Sequence, residues 1–264
     1  SPMRRRHVSL GLAAIVGAAL AGSATAAAPP TLAAAADLRF AVEEIAQGFT
    51  AETGRQIRLV FGSSGNLIAQ IQQGAPFELF MSADEELIFR LAEAGLTEDR
   101  GQLYAIGRIA LLVPTGSPLA PDGTLEDLRA ALADGRLTRF AIANPEHAPY
   151  GRRAEEALRH VGLWEAIAPK LVFGENVAQA AQFAVSGSAQ GGIVAYSLAL
   201  APAVASLGAH ALIPEAWHEP LRQRMVLLKG ASDTSRSFYA HLQRPAARAI
   251  MRRYGFVLPG EPAN

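Results

Sequence analysis

The sequence contains no cysteine among its 264 residues. Disulfide bonds, cysteine nucleophiles and cysteine metal ligands are therefore excluded. An excess of charge of either sign is also missing, because 24 basic residues balance 24 acidic residues. A general nucleic-acid or polyanion binder would carry a basic excess, so we expect no nucleic-acid partner.

Motifs of catalysis and metal binding are missing as well. The sequence contains no G-x-S-x-G, H-E-x-x-H or G-x-G-x-x-G pattern. His147 lacks a second histidine or carboxylate at metal-ligand spacing. We therefore expect no catalysis, no cofactor and no side chain that ligates a metal. A secreted hydrolase is the alternative, and ester turnover abolished by Ser64→Ala would support it.

The first 28 residues have the pattern of a secretory signal peptide. Arginines at 4–6 precede an uncharged apolar stretch at 8–20, and small residues follow at 24–26. The apolar stretch is too short to span a membrane comfortably. We expect residues 1–28 to direct export to the periplasm. No later apolar run reaches spanning length.

The rest of the chain alternates short β-type runs with amphipathic helical runs, which is typical of α/β proteins. Two such series are separated by an apolar run at 109–113, and a similar run returns at 225–228. We predict two lobes, each a mainly parallel sheet flanked by helices, joined by two crossover strands. Predicted lobe I comprises residues 29–114 and 218–264, and lobe II comprises residues 115–217.

Four loops share one design, in which a predicted strand ends and a helix begins among small or uncharged polar residues. They are residues 34–37, 62–66, 144–151 and 174–177. The first turn of a helix has backbone N–H groups without partners and a partial positive charge. Four such termini at one crevice would bind a small oxyanion without any lysine or arginine.

Each loop taken alone has a structural explanation. Ser64 and Asp37 are suitable helix N-caps, and Tyr150 is a suitable packing aromatic with a solvated hydroxyl. Val177 would contribute only its backbone N–H, so its side chain carries no functional signal. The repetition of the design at four strand–helix junctions is what favours a binding site.

Seven stretches of the chain resemble the molybdate-binding periplasmic proteins of ABC importers. They are AAAADL at 33–38, FGSSGNL at 61–67, QQGAPFELFMSAD at 72–84, YAIGRIALLVP at 104–114, IANPEHAPYGRRAEEAL at 142–158, GENVAQAAQ at 174–182 and RRYGFVLP at 252–259. Together they span nearly the whole chain after the signal peptide. The resemblance implies a type II periplasmic binding fold that closes on molybdate, and by extension tungstate. It also implies a membrane permease as partner, and we expect a monomer.

The resemblance also implies the residues that hold the anion. Ser64 would give a hydroxyl and a backbone N–H, and Val177 would give a backbone N–H. One branch of the family places its tyrosine ligand later in the chain, where this sequence has Ala195. The other branch uses a tyrosine in the third loop, so the hydroxyl role falls to Tyr150. The only metal expected is the molybdenum of the bound anion.

Asp37 is the main departure from the family pattern, because the family has serine or asparagine there. A carboxylate beside an oxyanion is repulsive. Either the Asp37 side chain turns away as an N-cap and only its N–H contacts the anion, or the ligand differs. A protonated oxyanion such as hydrogen phosphate needs an acceptor, which Asp37 would supply. Sulfate and phosphate are therefore the alternative ligands.

Overall fold

The computed structural model describes residues 28–262. The predicted signal peptide lies outside the described residues, apart from Ala28. Within the described part of the chain, no helix is long and apolar enough to cross a membrane.

Ten strands and eleven helices make up the described chain. The strands are β1 (Thr31–Ala35), β2 (Arg58–Gly62), β3 (Phe77–Ser82), β4 (Gln102–Gly107), β5 (Ile109–Pro114), β6 (Phe140–Ala143), β7 (Leu171–Gly174), β8 (Gly192–Ala195), β9 (Gly208–Leu212) and β10 (Leu221–Leu227). The helices are α1 (Arg39–Thr53), α2 (Ser64–Gln72), α3 (Glu85–Glu93), α4 (Glu126–Asp134), α5 (Pro149–His160), α6 (Trp164–Ile167), α7 (Val177–Val185), α8 (Tyr196–Leu200), α9 (Pro202–Ala205), α10 (Asp233–His241) and α11 (Pro245–Arg253). Short 3-10 turns cover Ala36–Leu38, Ala168–Lys170 and Glu215–Trp217.

The strands form two five-stranded sheets of the same design. The first has the order β2-β1-β3-β10-β4, and the second has the order β7-β6-β8-β5-β9. In the first sheet β1 pairs parallel with β2 and β3, whereas β10 is antiparallel to both of its neighbours. In the second sheet β6 pairs parallel with β7 and β8, and β5 is antiparallel to β8 and β9. The predicted α/β fold with two sheets flanked by helices is confirmed, but each sheet is mixed rather than mainly parallel, because β10 and β5 each run antiparallel to both of their neighbours.

The chain passes between the two sheets twice, which agrees with the prediction of two crossovers. The first passage lies at Arg108, between β4 and β5, and the second lies between β9 and β10. The predicted lobe I extended to residue 114, whereas β5 pairs within the second sheet. All but one of the β5 side chains are buried. A uniformly apolar strand has no exposed face that would indicate which sheet it joins, because fully buried strands lose the alternation of side chains.

Capping residues determine where helices α2 and α3 begin and where α3 ends. Asp84 caps α3 as predicted, because its Oδ1 accepts a hydrogen bond of 2.9 Å from the backbone N–H of Glu86. Gly95 follows the end of α3 with φ +74°, which favours glycine. The cap of α2 is Ser63 rather than Ser64, since the Ser63 side chain accepts from the N–H of Asn66. Ser64 is therefore the first residue of the helix.

Candidate functional site

The carboxyl ends of β1, β2, β6 and β7 lead into one small cavity between the sheets. The cavity is small, because the space open to the centre of a water molecule is about 10 Å³. All four residues predicted as anion ligands line it. The lining residues are Ala35, Ala36, Asp37, Gly62, Ser63, Ser64, Ala83, Ala148, Pro149, Tyr150 and Val177. No lysine or arginine is among them, as the hypothesis of neutral donors expects.

Ser64 lies at the start of α2 with its side chain fully buried. Its hydroxyl oxygen accepts a hydrogen bond of 2.9 Å from the backbone N–H of Ala83. A hydroxyl that accepts in this way still has its proton to donate. The Ser64 hydroxyl is therefore fixed in position and retains a donor for a ligand in the cavity.

Val177 is the first residue of α7. The side chain of Asn176 caps this helix by accepting a 3.0 Å hydrogen bond from the N–H of Gln179. N–H groups in a first helical turn have no intrahelical acceptor. The Val177 amide is thus a donor at the cavity wall, and it belongs to lobe II, whereas Ser64 belongs to lobe I.

Tyr150 reaches the cavity from the first turn of α5, which begins at Pro149. Its ring is buried, and its hydroxyl donates a 2.7 Å hydrogen bond to Oε1 of Gln223. Burial raises the pKa of the Tyr150 phenol well above its ordinary value, and the nearby Asp37 carboxyl adds to this rise. The phenol therefore stays neutral and acts as a donor with one proton.

Asp37 is buried within the 3-10 turn that follows β1. Its Oδ2 accepts a 2.9 Å hydrogen bond from Nε2 of Gln223. Its Oδ1 is also buried and has no hydrogen-bond partner among residues 28–262. The N-cap alternative for Asp37 is wrong, because no backbone N–H is capped by its side chain. The side chain lies in the cavity wall.

Burial changes the acidity of Asp37. Loss of hydration raises the pKa of this carboxyl from its ordinary value near 3.8 to about 7, although the hydrogen bond from Gln223 and the nearby Tyr150 hydroxyl oppose the rise. The carboxyl therefore changes its charge near neutral pH, which is unusual for an aspartate.

Gln223 on β10 is the residue that sequence reasoning missed. Its fully buried amide forms hydrogen bonds with three polar side chains. Nε2 donates to Asp37 and, at 2.8 Å, to the Tyr104 hydroxyl, and Oε1 accepts from Tyr150. A signal was present, because Leu221, Gln223 and Met225 occupy alternate buried positions of one strand. A glutamine in such a register needs buried partners.

The two lobes touch directly at the mouth of the cavity. The backbone N–H of Gly65 in lobe I donates a 2.9 Å hydrogen bond to the carbonyl of His147 in lobe II. The Ser63 hydroxyl lies 2.9 Å from Nδ1 of His147. Among the described residues, no group of His, Asp and Glu side chains could hold a metal ion. His147 thus serves as a contact across the cleft.

The chain is similar in sequence to known bacterial solute-binding proteins. A family model for bacterial extracellular solute-binding proteins matches residues 30–257. The chain is 36% identical over 260 residues to the molybdate-binding protein ModA of Rhodobacter capsulatus, covering 97% of this chain and 98% of that protein. It is 33% identical over 263 residues to ModA of Escherichia coli strain K12, covering 97% of this chain and 100% of that protein.

A solved structure supports the same grouping. The periplasmic molybdate-binding protein of Azotobacter vinelandii matches with a TM-score of 0.77 and 31% identity, covering 87% of this chain and 99% of that chain. The two-lobed fold that the resemblance implied is confirmed by this match. With a family model that covers almost all of the described residues, and relatives aligned over nearly their full length, the chain belongs to the family of bacterial extracellular solute-binding proteins.

Proposed function

We propose that this protein is the substrate-binding component of an ABC importer and that it binds molybdate, and tungstate, in the cavity between its lobes. The observation that carries the proposal is the convergence of Ser64, Tyr150, Val177 and Asp37 on one buried cavity without lysine or arginine. Relatives that align over nearly the whole chain are named for molybdate binding. The permease partner, the periplasmic location and the monomeric state belong to the same proposal.

The proposed mechanism of binding uses helix starts from both lobes. Ser64 at the start of α2 and Val177 at the start of α7 present donors from opposite sides of the cleft. Helix N-termini carry partial positive charge, so they attract a dianion without placing a buried cation beside it. Tyr150 joins them when its hydroxyl exchanges Gln223 for an anion oxygen. Size then separates molybdate and tungstate from the smaller sulfate.

Closure of the lobes is the event that a permease would recognise. The chain passes between the sheets at Arg108 and again between β9 and β10. Two connecting segments of this kind suit a hinge. The hydrogen bond between Gly65 and His147 belongs to the closed arrangement, because its two groups lie in different lobes. No catalytic step is part of the proposal.

Calorimetric titration of ligand-stripped protein with molybdate, tungstate, sulfate and phosphate tests the proposal. We expect molybdate and tungstate to bind far more tightly than the other two. Ser64→Ala removes a hydrogen bond to a charged group, which is worth about 1.5–3 kcal/mol, so molybdate affinity falls by about 10- to 100-fold. Ser206→Ala is the matched control, because Ser206 is exposed at the end of α9 and should leave affinity unchanged.

Phosphate is the second candidate ligand, and one observation favours it. The unpartnered Oδ1 of Asp37 would accept the proton of a hydrogen phosphate. If phosphate binds more tightly than molybdate, or if Ser64→Ala leaves molybdate affinity unchanged, the molybdate proposal is wrong.

A further inference from the structure

We infer that the Asp37 carboxyl and the bound anion share one proton, so that binding a fully ionised oxyanion takes up a proton from solvent. This inference rests on the proposed function and adds a proton to its chemistry. Asp37 becomes a donor to the anion through Oδ1, in the way that an asparagine amide or a serine hydroxyl would be.

The first argument is the asymmetry of the carboxyl group. Oδ2 is occupied by the 2.9 Å hydrogen bond from Gln223. Oδ1 is buried without a partner among the described residues, while Asp37 lines the cavity wall. A buried polar atom without a partner costs free energy. A proton on Oδ1 that points to an anion oxygen would satisfy both groups at once.

The second argument is that nothing nearby neutralises an ionised Asp37. The titratable groups bound into its network are the phenols of Tyr104 and Tyr150, and burial raises the pKa of each above its ordinary value. Both phenols are therefore neutral. A dianion beside an ionised carboxylate in this buried place would meet strong repulsion. One proton removes most of it.

No charged group on the elements packed against Asp37 is fully buried. The turn that contains Asp37 packs against α1, α7, α8 and β2. Helix α7 has no ionisable side chain, and α8 contributes only Tyr196. The charged side chains of α1 and β2 are exposed or only partly buried. They are Arg39, Glu43, Glu44, Glu52 and Arg58.

The charged groups on β10, α5 and the third loop are paired with other residues or exposed. On β10, Arg222 and Arg224 flank Gln223 and both pair with Glu85. On α5, Arg152 is exposed and Arg153 pairs with Glu156. In the third loop, Glu146 is exposed and the ring of His147 contacts Ser63. Asp37 is therefore the group in the cavity wall that is suited to take up the proton.

The sign of the pH dependence follows from this proton. Burial already raises the pKa of Asp37 to about 7, and an adjacent dianion raises it further. Affinity for molybdate is then greatest at pH values at which Asp37 of the free protein is already protonated. Above neutral pH the free carboxyl is ionised, so affinity falls by about tenfold for each pH unit.

The test is calorimetry of the full-length mature protein at about pH 8.5 in buffers that differ in ionisation enthalpy. The dependence of the observed heat on the buffer counts the protons taken up. We expect about one proton per molybdate for the unaltered protein. Asp37→Asn keeps a donor for the anion and an acceptor for Gln223, so it should take up none and bind with little pH dependence.

Phosphate provides an internal comparison, because near this pH it carries its own proton. Any phosphate binding should therefore proceed without net uptake. Tight molybdate binding without proton uptake by the unaltered protein would overturn the inference and leave the proposed function standing. Uptake that persists in Asp37→Asn would place the proton elsewhere and also overturn it. Absence of molybdate binding would overturn the proposed function and this inference together.

Discussion

Replacing Gly65 with alanine is expected to weaken molybdate binding by about 5- to 150-fold, because overpacking of this kind costs about 1–3 kcal/mol. A Cβ at Gly65 would lie 2.5 Å from the carbonyl oxygen of His147 and 2.9 Å from its Cα. These are backbone atoms of the opposite lobe, so no side chain can turn aside. The lobes would have to stay apart to relieve the overlap, and the cavity would remain open to water.

The stability of lobe I should not suffer from the same change. Gly65 is the second residue of α2, where alanine is the better helix former. Gly48→Ala is the matched control, since Gly48 lies inside α1 and a Cβ there meets nothing within 4 Å. The control should keep its molybdate affinity. Calorimetry that finds equal affinities for Gly65→Ala and the unaltered protein would show that the Gly65–His147 contact is absent from the bound state.

Replacing Gln223 with leucine is expected to lower the free energy of unfolding of the ligand-free protein by about 3 kcal/mol, because each buried polar group that loses its partner costs about 1–3 kcal/mol. The amide of Gln223 serves Asp37, Tyr104 and Tyr150. Leucine has a similar volume and offers none of them a hydrogen bond. Molybdate affinity should fall as well, because Asp37 loses the hydrogen bond from Gln223 that orients its carboxyl group.

A double-mutant cycle separates this role from a packing effect. With Tyr150→Phe in the background, the phenol is gone, so Gln223→Leu leaves one fewer polar group without a partner. The cost of Gln223→Leu should then be smaller by about 1 kcal/mol. Gln70→Leu on α2 is the control, because Gln70 is exposed and surface changes of this kind have little effect. Denaturant unfolding with additive costs in the cycle would exclude the Tyr150–Gln223 contact.

Much of the fold was predictable from the sequence, because its signals are local. Apolar runs of strand length alternated with helical periodicity, and the structure has strands and helices where those patterns lay. The membership of β5 was not predictable, since strand pairing depends on distant partners. The helix start at Ser63 and Ser64 was uncertain by one residue, because either serine is chemically able to cap a helix.

Some residues of the candidate site were also predictable from the sequence, and others were not. Ser64 and Tyr150 were identifiable by their hydroxyls at strand–helix junctions, together with the family resemblance. Val177 depended on the resemblance alone, because a backbone N–H leaves no mark on the sequence. The partners of Asp37 were beyond prediction, since Gln223 lies 186 residues away along the chain. Only the packing of β10 beside β3 brings the amide and the carboxyl together.

The most direct measurement of the central claim is a crystal structure of the protein with molybdate, in which anomalous scattering locates the molybdenum. We expect the metal inside the cavity, with anion oxygens at hydrogen-bond distances of about 2.7–3.2 Å from the Ser64 hydroxyl and the Val177 amide nitrogen. Tyr150 and Asp37 should close the cavity around it. A molybdenum peak outside the cleft, or an anion that contacts neither Ser64 nor Val177, would contradict the account.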